Sequence, residues 1–135
     1  MTEEEICLIY RAFSSEMKKW NDKFYPLMRE NVAAVIDQAV DELRPVFDRY
    51  VWDDATRREE ILHAPSACFP SDYDPETETI EKVDLTRSKA TLNVQTHVGF
   101  KDMFRHIFTR KGDDWRLSKR QIFDEISDGW KSHHI

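Results

Sequence analysis

The sequence predicts an α+β fold with N-terminal helices packed on a curved antiparallel sheet. Apolar residues recur every three or four positions from Ile6 to Leu62, breaker residues crowd positions 65–75, and from Ala90 onward the period becomes two. Helices first and strands afterwards place the helices over one face of the sheet.

Thr2 and Glu5 form a Thr-x-x-Glu capping box, which satisfies the free amides of a first turn and starts a helix. Ile6, Ile9, Tyr10, Phe13, Met17, Trp20 and Phe24 follow at helical spacing, a stripe that reads as core packing. Pro26 lacks an amide hydrogen and pushes Tyr25 out of the helical region, predicting a kink or break and a restart near Asn31. The next helix carries Val32, Val35, Ile36, Ala39, Val40 and Leu43. Pro45 either ends it or opens a further turn with Val46, Phe47 and Tyr50. Thr56 and Glu59 make a second possible capping box, opening a short helix toward Ile61 and Leu62.

Pro65, Pro70, Ser71, Asp72, Asp74 and Pro75 mark a loop. Residues 79–85 are a strand candidate. Ala90, Leu92, Val94 and Val98 then alternate with Thr91, Asn93, Gln95 and His97, as in a half-buried antiparallel strand. Residues 103–110 and 115–123 flank Lys111-Gly112-Asp113-Asp114, a polar glycine turn between aromatic-rich runs that reads as a β-hairpin.

A chain of 135 residues with 40% hydrophobic and 12% aromatic content builds one core, so a single domain over 1–135 is expected. The start, Met1-Thr2-Glu3-Glu4-Glu5, has no basic, apolar leader pattern, and no apolar run spans a bilayer, so a cytoplasmic protein without membrane contact is expected. Cys7 and Cys68 read as ordinary thiols. The net charge of -6 argues against nucleic acid as a partner. Lys101, Arg105, Arg110, Lys111, Arg116, Lys119 and Arg120 gather toward the C-terminal end and read as a solvated basic surface.

No histidine pair among His63, His97, His106, His133 and His134 has metal-site spacing, so no metal is expected, and His133 and His134 read as solvent-exposed. With three glycines and no GxSxG, neither a phosphate loop nor a nucleophile elbow is present, and no cofactor is implied. His97 and His106 fall on neighbouring strands, where they could face each other as an acid/base pair, with Asp102 the remaining candidate at a turn. Asp72, Asp74, Glu76 and Glu78 alternate. In an extended segment they would line one edge, either as a solvated loop or as a negative strip that complements a basic cleft.

Particular segments carry a resemblance: Phe47-Asp48-Arg49-Tyr50; Tyr73-Asp74-Pro75-Glu76 with Ile80 and Val83; Phe104-Arg105-His106 leading to Gly112-Asp113-Asp114-Trp115-Arg116-Leu117; and Asp128-Gly129-Trp130-Lys131 with Ile135. In these the chain resembles the nuclear transport factor 2-fold immunity proteins encoded beside bacterial polymorphic toxins. The resemblance implies a cone-shaped, cystatin-like fold and a cytoplasmic antidote to a toxin delivered by Rhs or contact-dependent systems, often through type VI secretion. The partner would be a cognate toxin domain, met through Asp72, Tyr73, Asp74, Glu76, Glu78 and Trp130. Two alternatives stay open. One is an isomerase, cyclase or dehydratase of the same fold with a hydrophobic substrate in the cone; the other is a homodimer using the polar sheet face from Thr91 to His97.

Overall fold

A computed structural model describes the whole chain, Met1–Ile135. Helix α1 runs over Glu3–Tyr50, with Thr2 as N-cap accepting from the Glu5 amide at 3.1 Å, and is interrupted at Asn31 (φ -161°, ψ 99°). Its two arms fold against each other there: Trp20 Nε1 donates to the Ala39 carbonyl at 2.8 Å and Lys23 pairs with Glu42. The break falls where the restart is expected, and the Asn31 side chain caps the second arm through the Ala34 amide at 3.4 Å. The prolines themselves end nothing. Pro26 and Pro45 both lie inside helical segments, and burial of Phe47 and Tyr50 beyond Pro45 offsets the hydrogen bond that proline removes.

Helix α2 is short, Arg58–His63. The capping box expected from Thr56 and Glu59 does not form. Thr56 uses its amide to bond the Ser118 carbonyl at 2.9 Å, and Arg57 occupies the N-cap with φ 64° and no side-chain cap. Arg58 is 5% exposed and donates through Nη1 to the carbonyls of Phe47 (3.0 Å) and Val51 (2.7 Å), so it satisfies the end of α1.

Five strands follow: β1 (Thr79–Leu85), β2 (Lys89–Gln95), β3 (Met103–Lys111), β4 (Asp114–Asp124) and β5 (Gly129–His133). They form an antiparallel sheet in sequence order, β1-β2-β3-β4-β5. The β3–β4 hairpin turns at Gly112, whose φ of +62° suits a residue without a Cβ. β5 has no counterpart among the expected strands, because its five residues show no apolar alternation. β2 stops at Gln95, which leaves His97 and Val98 in the following loop.

Ala90, Leu92 and Val94 pair with Phe108, His106 and Phe104, and all six are buried beneath α1. The helical stripe of Ile6, Tyr10, Phe13, Met17, Trp20 and Phe24 closes on them, each large apolar side chain contributing about 1.5–3 kcal/mol by leaving water. A register shift opposite Ile107/Phe108 makes Ser118 an extra residue in β4. It aims both Leu117, opposite Phe108, and Arg120, opposite His106, at the core.

Candidate functional site

Beneath α1 the sheet carries a buried polar centre. Arg120 is 0% exposed and lies between aromatic rings, its Cζ 3.7 Å from the Phe104 centroid and 4.5 Å from that of Tyr73. Its Nη1 donates to Asp72 Oδ2 at 2.7 Å and to the His134 carbonyl at 3.4 Å. Burial raises the pKa of Asp72, yet the charge and hydrogen bond of Arg120 more than offset this and hold the carboxyl below its ordinary range. Arg120 had read as part of a solvated basic surface. The bulge in β4 turns it inward, a displacement that strict alternation of side chains does not foresee.

A second polar group adjoins it. Glu78 accepts from Tyr10 Oη at 2.7 Å and from Ser14 Oγ at 2.5 Å. Burial outweighs both bonds and raises its pKa. His106 is 0% exposed, 4.6 Å from the Tyr10 ring and 6.0 Å from Tyr73, and neither ring nitrogen meets a protein partner. Burial, then Arg120, hold it well below the ordinary histidine range, so it is neutral at pH 7. The His97–His106 pair that neighbouring strands would allow does not form. His106 pairs with Leu92 and Arg120, while His97 lies exposed past the strand end with Nε2 2.9 Å from Thr79 Oγ1.

Tyr73 and Phe104, which flank Arg120, also line a cavity of about 590 Å³, whose walls include Trp20 and Leu43 of α1, Ile61 of α2, and Asp72 and Asp102 from loops. Two loops run close together beside it: a Cβ added at Gly99 would lie 3.7 Å from Pro70 Cγ. A smaller cavity of about 190 Å³ lies between them. There Phe69 is 81% and Phe100 96% exposed, an unusual state for two large aromatics. Asp72, His133 and His134 meet on the cavity wall, offering ligand atoms within 4.8 Å of one another. Burial, then Arg120, lower His133 to about 4, so the expectation of two solvent-exposed histidines is corrected for His133, which is half-buried.

The residues expected to meet a partner do not form one strip. Positions 74–78 fold into a turn, with the Glu78 amide bonded to the Asp74 carbonyl at 3.0 Å and the Glu76 amide to Asp74 Oδ1 at 3.1 Å. Asp72 is held by Arg120 and Glu78 by Tyr10 and Ser14, Tyr73 is 3% exposed, Asp74 is half-buried, and of the acidic set only Glu76 is exposed. Trp130 lies on the sheet face away from α1, under Arg105 (4.0 Å) and against Phe123. Sequence reasoning missed Tyr10, Ser14, Arg120 and His133, which looked like ordinary stripe or surface positions.

A long bent helix closed over a five-strand meander is an architecture shared by many functions, so comparison with known proteins decides among them. The family model described as "NTF2 fold immunity protein" matches residues 5–134. The chain belongs to the NTF2-fold immunity protein family. As a member of that family it serves to neutralise a toxin, and the match bears out both the α+β, NTF2-like fold and the resemblance read from the sequence. The immunity protein is also 27% identical over 128 residues to the immunity protein RhsIA of Dickeya dadantii (strain 3937), covering 94% of this chain and 93% of that protein. No solved structure matches it significantly. No helix of this immunity protein is long and apolar enough to cross a membrane.

Proposed function

We propose that the chain, acting over 1–135 as one immunity domain, neutralises a cognate toxin of the Rhs class in the cytoplasm by stoichiometric binding, without performing a reaction. Similarity to RhsIA supports the toxin class. The observation that carries the binding mode is the pair Phe69 and Phe100, two exposed aromatics that line the smaller cavity between neighbouring loops. In this reading the negative charge of the exposed Glu76, with Asp74 beside it, helps to steer and select a basic partner. Nucleic acid and membrane are not partners in this reading, and type VI secretion is the delivery route against which such protection is directed. The outer sheet face around Trp130 is left to a second copy of the chain.

Glu78 favours a second reading, an enzyme of this fold acting on a hydrophobic substrate in the cone. A buried carboxyl with a raised pKa is what a general acid needs. Against it, Glu78 does not line the cavity, whose walls include Tyr73 and Phe104. Titrating a fixed amount of the cognate toxin domain with the chain separates the two readings. Binding removes toxin activity in proportion, reaching zero at one equivalent with a co-purifying complex. Protection at a small fraction of an equivalent, with no complex, overturns the proposal and supports the enzyme.

A further inference from the structure

We propose that Asp72, His133 and His134 form a site for a borderline transition-metal dication, represented by zinc, on the wall of the cavity. Each residue offers one ligand atom, and the three atoms lie within 4.8 Å of one another. Zinc–nitrogen and zinc–oxygen bonds of about 2.0–2.2 Å set ligand atoms about 3.3 Å apart in a tetrahedron, so the cluster closes onto an ion by moving at most about 1.5 Å. His134, which is exposed, supplies that movement by rotating its side chain.

The surroundings position the three ligands. Arg120, fully buried, holds Asp72 through Oδ2 at 2.7 Å and leaves Oδ1 with only a long contact of 3.4 Å, so one carboxylate oxygen remains for a metal. The same guanidinium holds the His134 carbonyl at 3.4 Å. His133 pairs with Arg120 across β4 and β5, and its ring lies 5.4 Å from that of Phe104. Outer contacts of this kind, to a carboxylate and to the backbone beside the histidines, fix the geometry of protein metal sites. Beyond the three ligands the cavity leaves room for water or another oxygen ligand, the open arrangement of a three-ligand zinc centre.

The donor set selects the ion. Two imidazoles and one carboxylate suit zinc, nickel, cobalt or copper, whereas magnesium and calcium require oxygen cages. The positive charge of Arg120 opposes any cation here, and Asp72 cancels it only once. Affinity should therefore be weaker than that of a closed four-ligand site.

The test uses the tag-free, chelator-treated full chain, titrated with Zn²⁺ by calorimetry and with Co²⁺ by visible absorption. We expect one ion per chain, a cobalt band, and at least about tenfold weaker binding in His134→Ala and in His133→Ala. Because His134 is exposed, H134A keeps its fold, which the thermal midpoint of the metal-free variant verifies. Cys68→Ser and His63→Ala remove other plausible ligands and should leave binding unchanged. Absence of saturable binding in the wild-type chain overturns the proposal. So does binding that survives the H133A/H134A double substitution, or binding that is lost in C68S or H63A.

Discussion

Arg120 and Asp72 form an unequal ion pair: Nη1 and Oδ2 are 2.7 Å apart, but the guanidinium is 0% exposed and the carboxylate 36%. Removing one partner therefore differs from removing the other. Asp72→Ala strands a buried cation and should cost about 3–5 kcal/mol, whereas Arg120→Met leaves a carboxylate that water reaches and should cost less than about 2 kcal/mol. The double variant should be more stable than D72A alone. Urea denaturation of the four proteins measures all three differences.

His106 makes stability depend on pH. In the unfolded chain it titrates near 6.5, while burial, then Arg120 and His133, keep it neutral in the fold to much lower pH. Below about pH 6.5 the unfolded state binds the extra proton, so stability falls by about 1.4 kcal/mol for each further pH unit until the folded group titrates. His106→Leu removes its share of this slope, leaving the share of His133 and His134, and relieves two unbonded ring nitrogens. The gap between denaturation midpoints at about pH 7.5 and about pH 5.5 should therefore narrow in the variant without closing.

Glu78 acts in the opposite sense to a salt-bridged carboxylate. Its folded pKa is raised, chiefly by burial, so its charge costs stability as pH rises from the ordinary carboxylate range through the folded pKa, after which the cost is constant. Glu78→Gln keeps the shape and an acceptor for Tyr10 but carries no charge. Its stability relative to wild type should improve as pH rises across that window, measured by chemical denaturation at several pH values.

Phe69→Ala and Phe100→Ala should leave folding stability within about 0.5 kcal/mol, since both rings are already in water. Each should weaken association with the cognate toxin domain at least about tenfold, about 1.4 kcal/mol, as measured by calorimetry. Trp130→Ala is the counterpart. It loses packing against Phe123 and Arg105 and should lower stability while affinity stays unchanged.

Much of the fold was legible because its signals are local. The capping box at Thr2, the stripe from Ile6 to Phe24, the alternation from Ala90 to Val94 and the turn at Gly112 each lie within a few residues of what they specify. The polar centre was not legible. Arg120 turns inward through a one-residue bulge, and Asp72 meets it across 48 positions of sequence. Glu78 looked like one of four equivalent acids until the turn at Asp74 carried it under Tyr10 and Ser14. Phe69 and Phe100 carry no pattern that separates an exposed aromatic from a buried one. Spacing rules test ligands that are near in sequence, so they are silent on Asp72 with His133 and His134.

Every strand pairs with its successor in the chain, through turns as short as Thr86–Ser88 and Gly112–Asp113. The two helical arms likewise meet through adjacent stretches of sequence. The sheet and the helical hairpin therefore each close small loops, and loop closure among near neighbours is fast. For a protein that meets a toxin, the sequential meander lets the sheet close without a long search along the chain, while the helix joins it across longer stretches such as Tyr10 to Glu78.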